Sequence, residues 1–238
     1  MNKPFQFKEF TVHQDQCAMK IGTDGVLLGA WATLNHSPNS ILDIGTGTGI
    51  IALQLAQRSN AEIVDALEID DKTYEQAMSN FEISPWGDRL FCYHASFLEF
   101  ASEIEDEYDL IVSNPPFYSE NYKTNNEQRD LARFADALPF DHLLAGTAKL
   151  LSENGKACFI IPFSEEKKFI TIASQFNLHT NTITRVRGNL TSEIKRSLLE
   201  LSCTPSRSVI ETELVIEISR HQYTTEYINL VKDFYLKM

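Results

Sequence analysis

Ile41-Leu42-Asp43-Ile44-Gly45-Thr46-Gly47-Thr48-Gly49-Ile50-Ile51 is the stretch that decides the fold. Ser40 to Ile44 is a short apolar run with an acid inside it, which reads as a buried strand. Three glycines follow at alternate positions, and Ile51-Ala52-Leu53-Gln54-Leu55-Ala56 then opens a helical pattern. Strand, glycine turn and helix in that order make a ligand-binding βα unit, because glycine lets the backbone turn tightly and approach a ligand closely. The spacing is G-x-G-x-G. A dinucleotide fingerprint would need Gly or Ala three residues after Gly47, where this chain has Ile50. The loop therefore suits a ligand gripped by backbone and carboxylates, not a pyrophosphate seated on the helix N-terminus.

Glu62 to Asp70 reads as the second strand and its end, with Glu68 lying 19 residues beyond Gly49. A carboxylate at a strand tip can accept hydrogen bonds from both hydroxyls of a ribose. These features resemble the class I S-adenosylmethionine (SAM) methyltransferases, whose first two motifs correspond to Asp43-x-Gly45-x-Gly47-x-Gly49 and the acidic strand end at Glu68-Ile69. The resemblance implies that Asp43 lies near the amino-acid group of the cofactor and Glu68 near its ribose, with the glycines and Ile69 among the cofactor contacts. The plainer alternative is a structural glycine turn beside a solvated acid.

A chain of 238 residues fits one α/β domain with short additions at each end, and 43% hydrophobic with 23% charged residues is ordinary for a globular protein. Cys17, Cys92, Cys158 and Cys203 sit far apart, without zinc or redox spacing, so a reducing cytoplasm is the expected compartment. The N-terminus lacks the apolar run of a signal peptide, and no segment approaches the length of a membrane span. The net charge of −12 argues against nucleic acid until its distribution is seen. Between Glu62 and Asp109 there are fourteen acids against Lys72 and Arg89, so the rest of the chain balances at nineteen of each sign. Other faces are thus free to meet phosphates.

Taken in order, Phe5, Phe7, Phe10 and Val12 suggest an extended, half-buried arm, and residues 1–39 an extension that packs near the cofactor. Thr23 or Asp24 reads as the N-cap of a helix carrying Val26, Leu27, Leu28 and Trp31. Asp71 to Phe81 reads as a helix, Arg89 to His94 as a third strand, Glu99 to Glu107 as a solvated acidic segment and Tyr108 to Ser113 as a fourth strand. Class I relatives often place an acid near the third strand's end, where it can hold the adenine amino group. Here Ser96 is the candidate substitute. Tyr118 to Ala137 is polar and reads as a mobile loop with room for a helix near its end. Leu138 to Leu151, Ser164 to Phe176 and Thr224 to Leu236 read as helices. Gly155 to Ile161 reads as the fifth strand, with Asn181 to Arg187, Ser197 to Cys203 and Glu213 to Ile218 extended. Alternating β and α units predict one Rossmann-like domain over residues 1–238. The class I SAM methyltransferase fold it resembles implies a mostly parallel seven-stranded sheet with helices on both faces.

The sharpest signal is Asn114-Pro115-Pro116-Phe117 at the end of the fourth strand, the carboxyl edge where open α/β sheets bind ligands. Two prolines stiffen the turn and remove two backbone donors. An amino group needs acceptors, and Asn114 offers its amide oxygen and Pro115 a carbonyl. Phe117 offers a flat face on which a base can stack. The tetrapeptide resembles motifs of methyltransferases acting on adenine N6, guanine N2 and protein glutamine, and alone it does not separate them. With Gln14-Asp15-x-Cys17-Ala18-Met19-Lys20-x-Gly22-Thr23-Asp24-Gly25, the chain resembles the bacterial tRNA1(Val) adenine-37 N6-methyltransferase family from about Phe5 to the last helix, most strongly up to Phe117. The resemblance implies methyl transfer from SAM to a base turned out of tRNA, with Lys20, Thr23 and Asp24 facing the cofactor. A solvated lysine is the alternative for Lys20.

Candidate phosphate contacts are Lys123, Arg129 and Arg133 in the polar loop and the cluster Arg185, Arg187, Lys195 and Arg196. An ordinary solvated loop is the competing reading of that cluster. The six histidines show no ligand spacing, so no metal is expected, and no obligate protein partner is evident. Competing functions are amino-methyl transfer to rRNA guanine, DNA adenine or protein glutamine, and a non-catalytic RNA-binding assembly factor on the same fold.

Overall fold

Strands form where apolar residues run together between polar or proline breaks, and helices where the apolar spacing lengthens to three and four. The computed structural model describes residues 3–116 and 138–238. It begins with a hairpin of β1 (Phe5–Gln6) and β2 (Thr11–Val12), followed by α1 (Thr23–Trp31), β3 (Ser40–Ile44) and α2 (Ile50–Arg58). Next come β4 (Ile63–Glu68), α3 (Asp71–Glu82), β5 (Leu90–His94), α4 (Phe97–Glu103) and β6 (Tyr108–Ser113). The second described stretch holds α5 (Phe140–Leu150), β7 (Leu151–Pro162), a 3-10 turn, α6 (Glu166–Gln175) and β8 (His179–Asn189). It ends with β9 (Ile194–Ser202), β10 (Ile210–Ser219), β11 (Gln222–Tyr223) and α7 (Thr225–Val231).

Among the described residues the main sheet has nine strands in the order β11-β10-β8-β9-β7-β6-β3-β4-β5. Pairing is parallel from β5 through β7, antiparallel on both sides of β9, and parallel again between β8 and β10. The mostly parallel α/β class is the expected one, but the count is nine and not seven, because β10 and β11 extend the sheet beyond β8. Strand β10 fully buries Leu214 alone, so its apolar alternation is faint in the sequence. The order reverses at β3, whose neighbours are β4 and β6, and this opens a crevice at the carboxyl ends of those strands.

Adjacent residues on the central strands face opposite cores. Ile41, Leu110 and Cys158 join α1, α2 and the N-terminal arm on one face, while Leu42, Ile111 and Phe159 join α4, α5 and α6 on the other. Burial on both faces explains why these strands read as continuous apolar runs. The arm is deeper than half-buried, since Phe7, Phe10 and Val12 all lie in the core. It docks on the C-terminal segment through a Phe7–Tyr235 bridge and the Lys8 amide, which donates to the Phe234 carbonyl at 2.8 Å.

Two local expectations are corrected. Phe97–Glu103 is a helix, not a solvated segment, with Phe97, Phe100 and Ala101 buried beneath its acids. A capping box of Ser96 and Glu99 starts it. Helix α1 is capped by Gly22 without a side-chain bond, so neither Thr23 nor Asp24 is the N-cap.

Candidate active site

A cavity of about 400 Å³ opens at the carboxyl ends of β3, β4, β5 and β6. Gly45 and Gly47 line it from the loop after β3, Glu68, Ile69 and Asp70 from the end of β4, and Ser96 to Leu98 from the start of α4. Ser113, Asn114, Pro115 and Pro116 line it after β6, Leu138 and Pro139 before α5, and Cys17, Ala18 and Met19 from the N-terminal segment. Phe117, Lys123, Arg129, Arg133 and the Tyr118-to-Ala137 loop lie outside the described residues.

The glycine loop takes its shape from left-handed backbone. Gly49 has φ +83°, and a Cβ there would stand 2.5 Å from the Phe81 ring, so conformation and packing both require glycine. At Gly45 and Gly47 a Cβ would meet nothing within 4 Å, which leaves open space beside the backbone where the loop borders the cavity. Asp43 is fully buried and is not among the lining residues. Its Oδ2 accepts from the Thr46 hydroxyl at 2.6 Å and the Ala52 amide at 3.2 Å, so it ties the loop to α2 from beneath. Its Oδ1 is buried without a partner, and burial pushes the carboxyl up to about 7.

Glu68 stands at the tip of β4 and is held by three backbone donors. Gly47 N–H reaches Oε2 at 3.0 Å, and Ile69 and Asp70 N–H reach Oε1 at 2.9 and 3.0 Å. A carboxylate so held keeps lone pairs for hydroxyl donors. Ser96 lines the cavity, but its hydroxyl donates to Glu99 Oε2 at 2.8 Å and accepts from the Glu99 amide at 3.2 Å. The structure thus gives that hydroxyl to the helix cap.

Asn114 follows β6 directly, anchored by Ser113, whose hydroxyl donates to the Ile44 carbonyl at 2.8 Å across the neighbouring strand. Pro115 is buried, while Asn114 and Pro116 are half-buried at the cavity. The turn therefore presents oxygens with two of its amides missing. Lys20, Thr23 and Asp24 are not lining residues. The Lys20 ammonium donates to the Gln14 and Cys17 carbonyls, and Asp24 accepts from Arg196 Nε at 2.7 Å. From this segment Cys17, Ala18 and Met19 reach the cavity instead; burial, with Glu68 adding to it, pushes the Cys17 thiol up to about 11, so it is not a ready nucleophile.

The basic cluster is braced from within. Arg185 pairs with Glu166 at 2.7 Å and Glu211 at 2.8 Å, and Arg187 with Glu213 at 2.6 Å. Lys195 pairs with Glu193 at 3.5 Å, with both side chains well exposed. No motif in the sequence marks Thr73, Gln76 and Asn80 on α3, of which Thr73 lines the cavity and Gln76 and Asn80 hold the N-terminal segment. Their spacing of three and four on a helix was the available signal. Among the described residues no group of three His, Cys, Asp or Glu side chains could hold a metal ion, and no helix is long and apolar enough to cross a membrane.

The methyltransferase small domain family model matches residues 23–161. The tRNA1(Val) (adenine(37)-N6)-methyltransferase of Christiangramia forsetii is 64% identical over 239 residues, covering 100% of this chain and 99% of the relative. The enzyme of the same name from Bacteroides fragilis is 44% identical over 240 residues, covering 100% of both chains. Among solved structures, a predicted O-methyltransferase of Agrobacterium tumefaciens superposes with a TM-score of 0.70 at 17% identity, over 89% of this chain and 96% of its own. The ribosomal protein L11 methylase of Lactobacillus delbrueckii subsp. bulgaricus gives 0.52 at 18% identity, over 75% of this chain and 76% of its own. At such identities the likeness concerns the fold alone.

Proposed function

Because this chain belongs to the tRNA1(Val) (adenine(37)-N6)-methyltransferase family, we propose that it moves the methyl group of SAM to the exocyclic N6 of an adenine in tRNA, with adenine 37 of tRNA1(Val) as the target. One observation carries this reading. Asn114, Pro115 and Pro116 line the same cavity as Glu68 and the glycine loop.

The donor set suits SAM. Glu68 provides a carboxylate for ribose hydroxyls, the open space at Gly45 and Gly47 admits the amino-acid portion against backbone, and Ile69, Phe97 and Leu98 offer apolar surface for a base. When bound, the cofactor supplies an electrophilic methyl on a sulfonium. The protein's task is on the other reactant. An adenine amino group is a poor nucleophile because its lone pair is delocalised into the ring. Hydrogen bonds from its two N–H groups to the Asn114 amide oxygen and the Pro115 carbonyl favour a pyramidal nitrogen bearing growing positive charge. Positioning supplies most of the remaining rate, and the proton leaves to water afterwards. Phe117 is the proposed stacking face for the base.

Asp43 supports the loop from below, Ser96 acts on the cofactor by capping α4 and Lys20 by holding the Gln14 and Cys17 carbonyls, while Thr23 and Asp24 start α1 behind the cavity, Asp24 paired with Arg196. The bracing of Arg185, Arg187 and Arg196 makes Lys195 the best-placed of those four cations to meet phosphate, with Lys123, Arg129 and Arg133 as further candidates. Residues 1–238 act as one catalytic unit in the cytoplasm, where tRNA is found. The deciding experiment offers labelled SAM with separate pools of tRNA, rRNA, DNA and ribosomal protein, followed by mass spectrometry of the labelled product. Label in N6-methyladenine of tRNA is expected. Label confined to rRNA guanine, DNA or glutamine would replace the acceptor named here, and no label in any pool would favour a non-catalytic role.

A further inference from the structure

Helix α3 carries a polar stripe on a buried face. Thr73, Gln76 and Asn80 are each less than a tenth exposed, at a helical spacing that ordinarily turns apolar side chains inward. Burying an amide is costly unless all its groups are satisfied, and that of Asn80 is well supplied. Its Oδ1 accepts from the His13 amide at 2.8 Å, and its Nδ2 donates to the carbonyls of His13 at 2.8 Å and Thr48 at 2.9 Å. Gln76, one turn earlier, accepts from the Gln16 amide at 3.1 Å, and Thr73, whose hydroxyl donates to Asp70 at 2.7 Å, lines the cavity together with Cys17.

The stripe joins two segments far apart in the chain. Thr48 lies between Gly47 and Gly49. His13 leads into residues 14–21, which close on themselves where Gln14 Oε1 accepts from the Ile21 amide at 3.0 Å and the Lys20 ammonium caps the carbonyls of Gln14 and Cys17. Both segments end at the cavity, one through Gly47 and the other through Cys17, Ala18 and Met19. An apolar side chain at position 80 would bury similar area without fixing direction. Hydrogen bonds to both segments set their separation as well as their contact.

We infer that Asn80 is a positioning residue for the cofactor: it clasps the N-terminal segment to the glycine loop and so holds the cavity at the width that receives SAM, with Gln76 as a second, weaker tie of that segment to α3. This rests on the reading of the cavity as the SAM site. A protein whose binding-ready arrangement is only partly populated shows an apparent dissociation constant raised by the inverse of that fraction. Unclasping therefore weakens SAM binding. Asn114 belongs to another element, so turnover at saturating SAM holds.

The test compares Asn80→Ala, Gln76→Ala and Glu68→Ala with the parent by SAM calorimetry, by tRNA methylation at varied SAM, and by amide exchange at His13 and Gln16. Asn80→Ala is expected to raise both Kd and KM for SAM about tenfold, and Gln76→Ala about threefold. The kcat of both is expected within about twofold of the parent, and the His13 amide of Asn80→Ala exchanges faster. A folded Asn80→Ala protein with parental SAM affinity overturns the clasp, while weakened binding in Glu68→Ala keeps the site itself. Parental affinity in Glu68→Ala rejects the site and the clasp together. If Asn80→Ala does not fold, Gln76→Ala decides, and an unchanged Kd there overturns the proposal.

Discussion

The two sides of the cavity are built by opposite means. The turn after β6 is stiffened covalently, by two successive prolines directly behind Asn114. The loop after β3 has three glycines and little stiffness of its own. It is pinned by side chains from elsewhere, with Glu68 on the Gly47 amide, Asp43 on Thr46 and Ala52, and Asn80 on the Thr48 carbonyl. A self-stiffened turn concentrates its effect in the one or two oxygens it presents. A pinned loop spreads its dependence over several elements. The proline side should therefore be sensitive to a single atom in the chemical step, and the glycine side to several residues in binding.

The largest effect should come from Asn114→Ala. Loss of one positioned acceptor is expected to lower kcat on the order of 10²-fold, with SAM affinity nearly parental. Single-turnover methylation of tRNA measures it, and a parental rate would break the distinction between the sides. Next, Glu68→Ala should weaken SAM binding on the order of tenfold by calorimetry while kcat at saturation changes much less. A fall in kcat with unchanged affinity would mean that the glycine side also acts in the chemical step.

A third expectation concerns pH. Asp43 holds its proton up to about 7 in the folded protein, against 3.8 for its ordinary value. The folded state thus binds a proton that the unfolded chain has already lost across this range. The associated stability is fully present below about 3.8 and is lost as pH rises through about 7. Asp43→Asn, which keeps an acceptor oxygen, should flatten that part of the profile of urea midpoint against pH. A profile of unchanged slope would show that the buried carboxyl does not titrate with folding. The smallest effect is expected from Lys195→Glu. It should weaken tRNA binding a few-fold and shift its salt dependence by about one phosphate contact, without altering SAM affinity. Indifference of tRNA binding to this change would place the RNA surface elsewhere.

The features legible in the sequence are those whose physical cause is local. Strands β3, β4 and β6 are buried on both faces, so their apolar runs are continuous. Asn114-Pro115-Pro116 announces itself because adjacent prolines after such a run have few other uses. Helix α4 is hard to see in the sequence because Glu99 and Glu103 lead into the acidic run at 105–107 and mask the short apolar face of Phe97, Phe100 and Ala101, while Ser96, which resembles a ligand contact, caps the helix. The partners of Asn80 lie 67 and 32 residues away, so no local pattern contains them. In the sequence Arg185, Arg187, Lys195 and Arg196 suggest a phosphate contact or a solvated loop, because Glu166, Glu211 and Glu213, which brace Arg185 and Arg187, come from separate elements.

The bridge between Phe7 and Tyr235 bears on how the protein is made. The Lys8 amide and ammonium reach the carbonyls of Phe234 and Lys232, so the arm's seat, begun on the core, is completed by these late residues. On a ribosome the arm emerges well before residues 232–235, Lys232 lying 224 positions after Lys8, and must wait for them. During that interval Phe5, Phe7 and Phe10 are exposed apolar surface, a target for chaperones and proteases. A nascent chain stalled before Lys232 would have its central strands in place but only part of the arm's dock. Protease resistance of the arm should then be complete only after residues 232–235 have left the ribosome, as a late and cooperative event in biosynthesis.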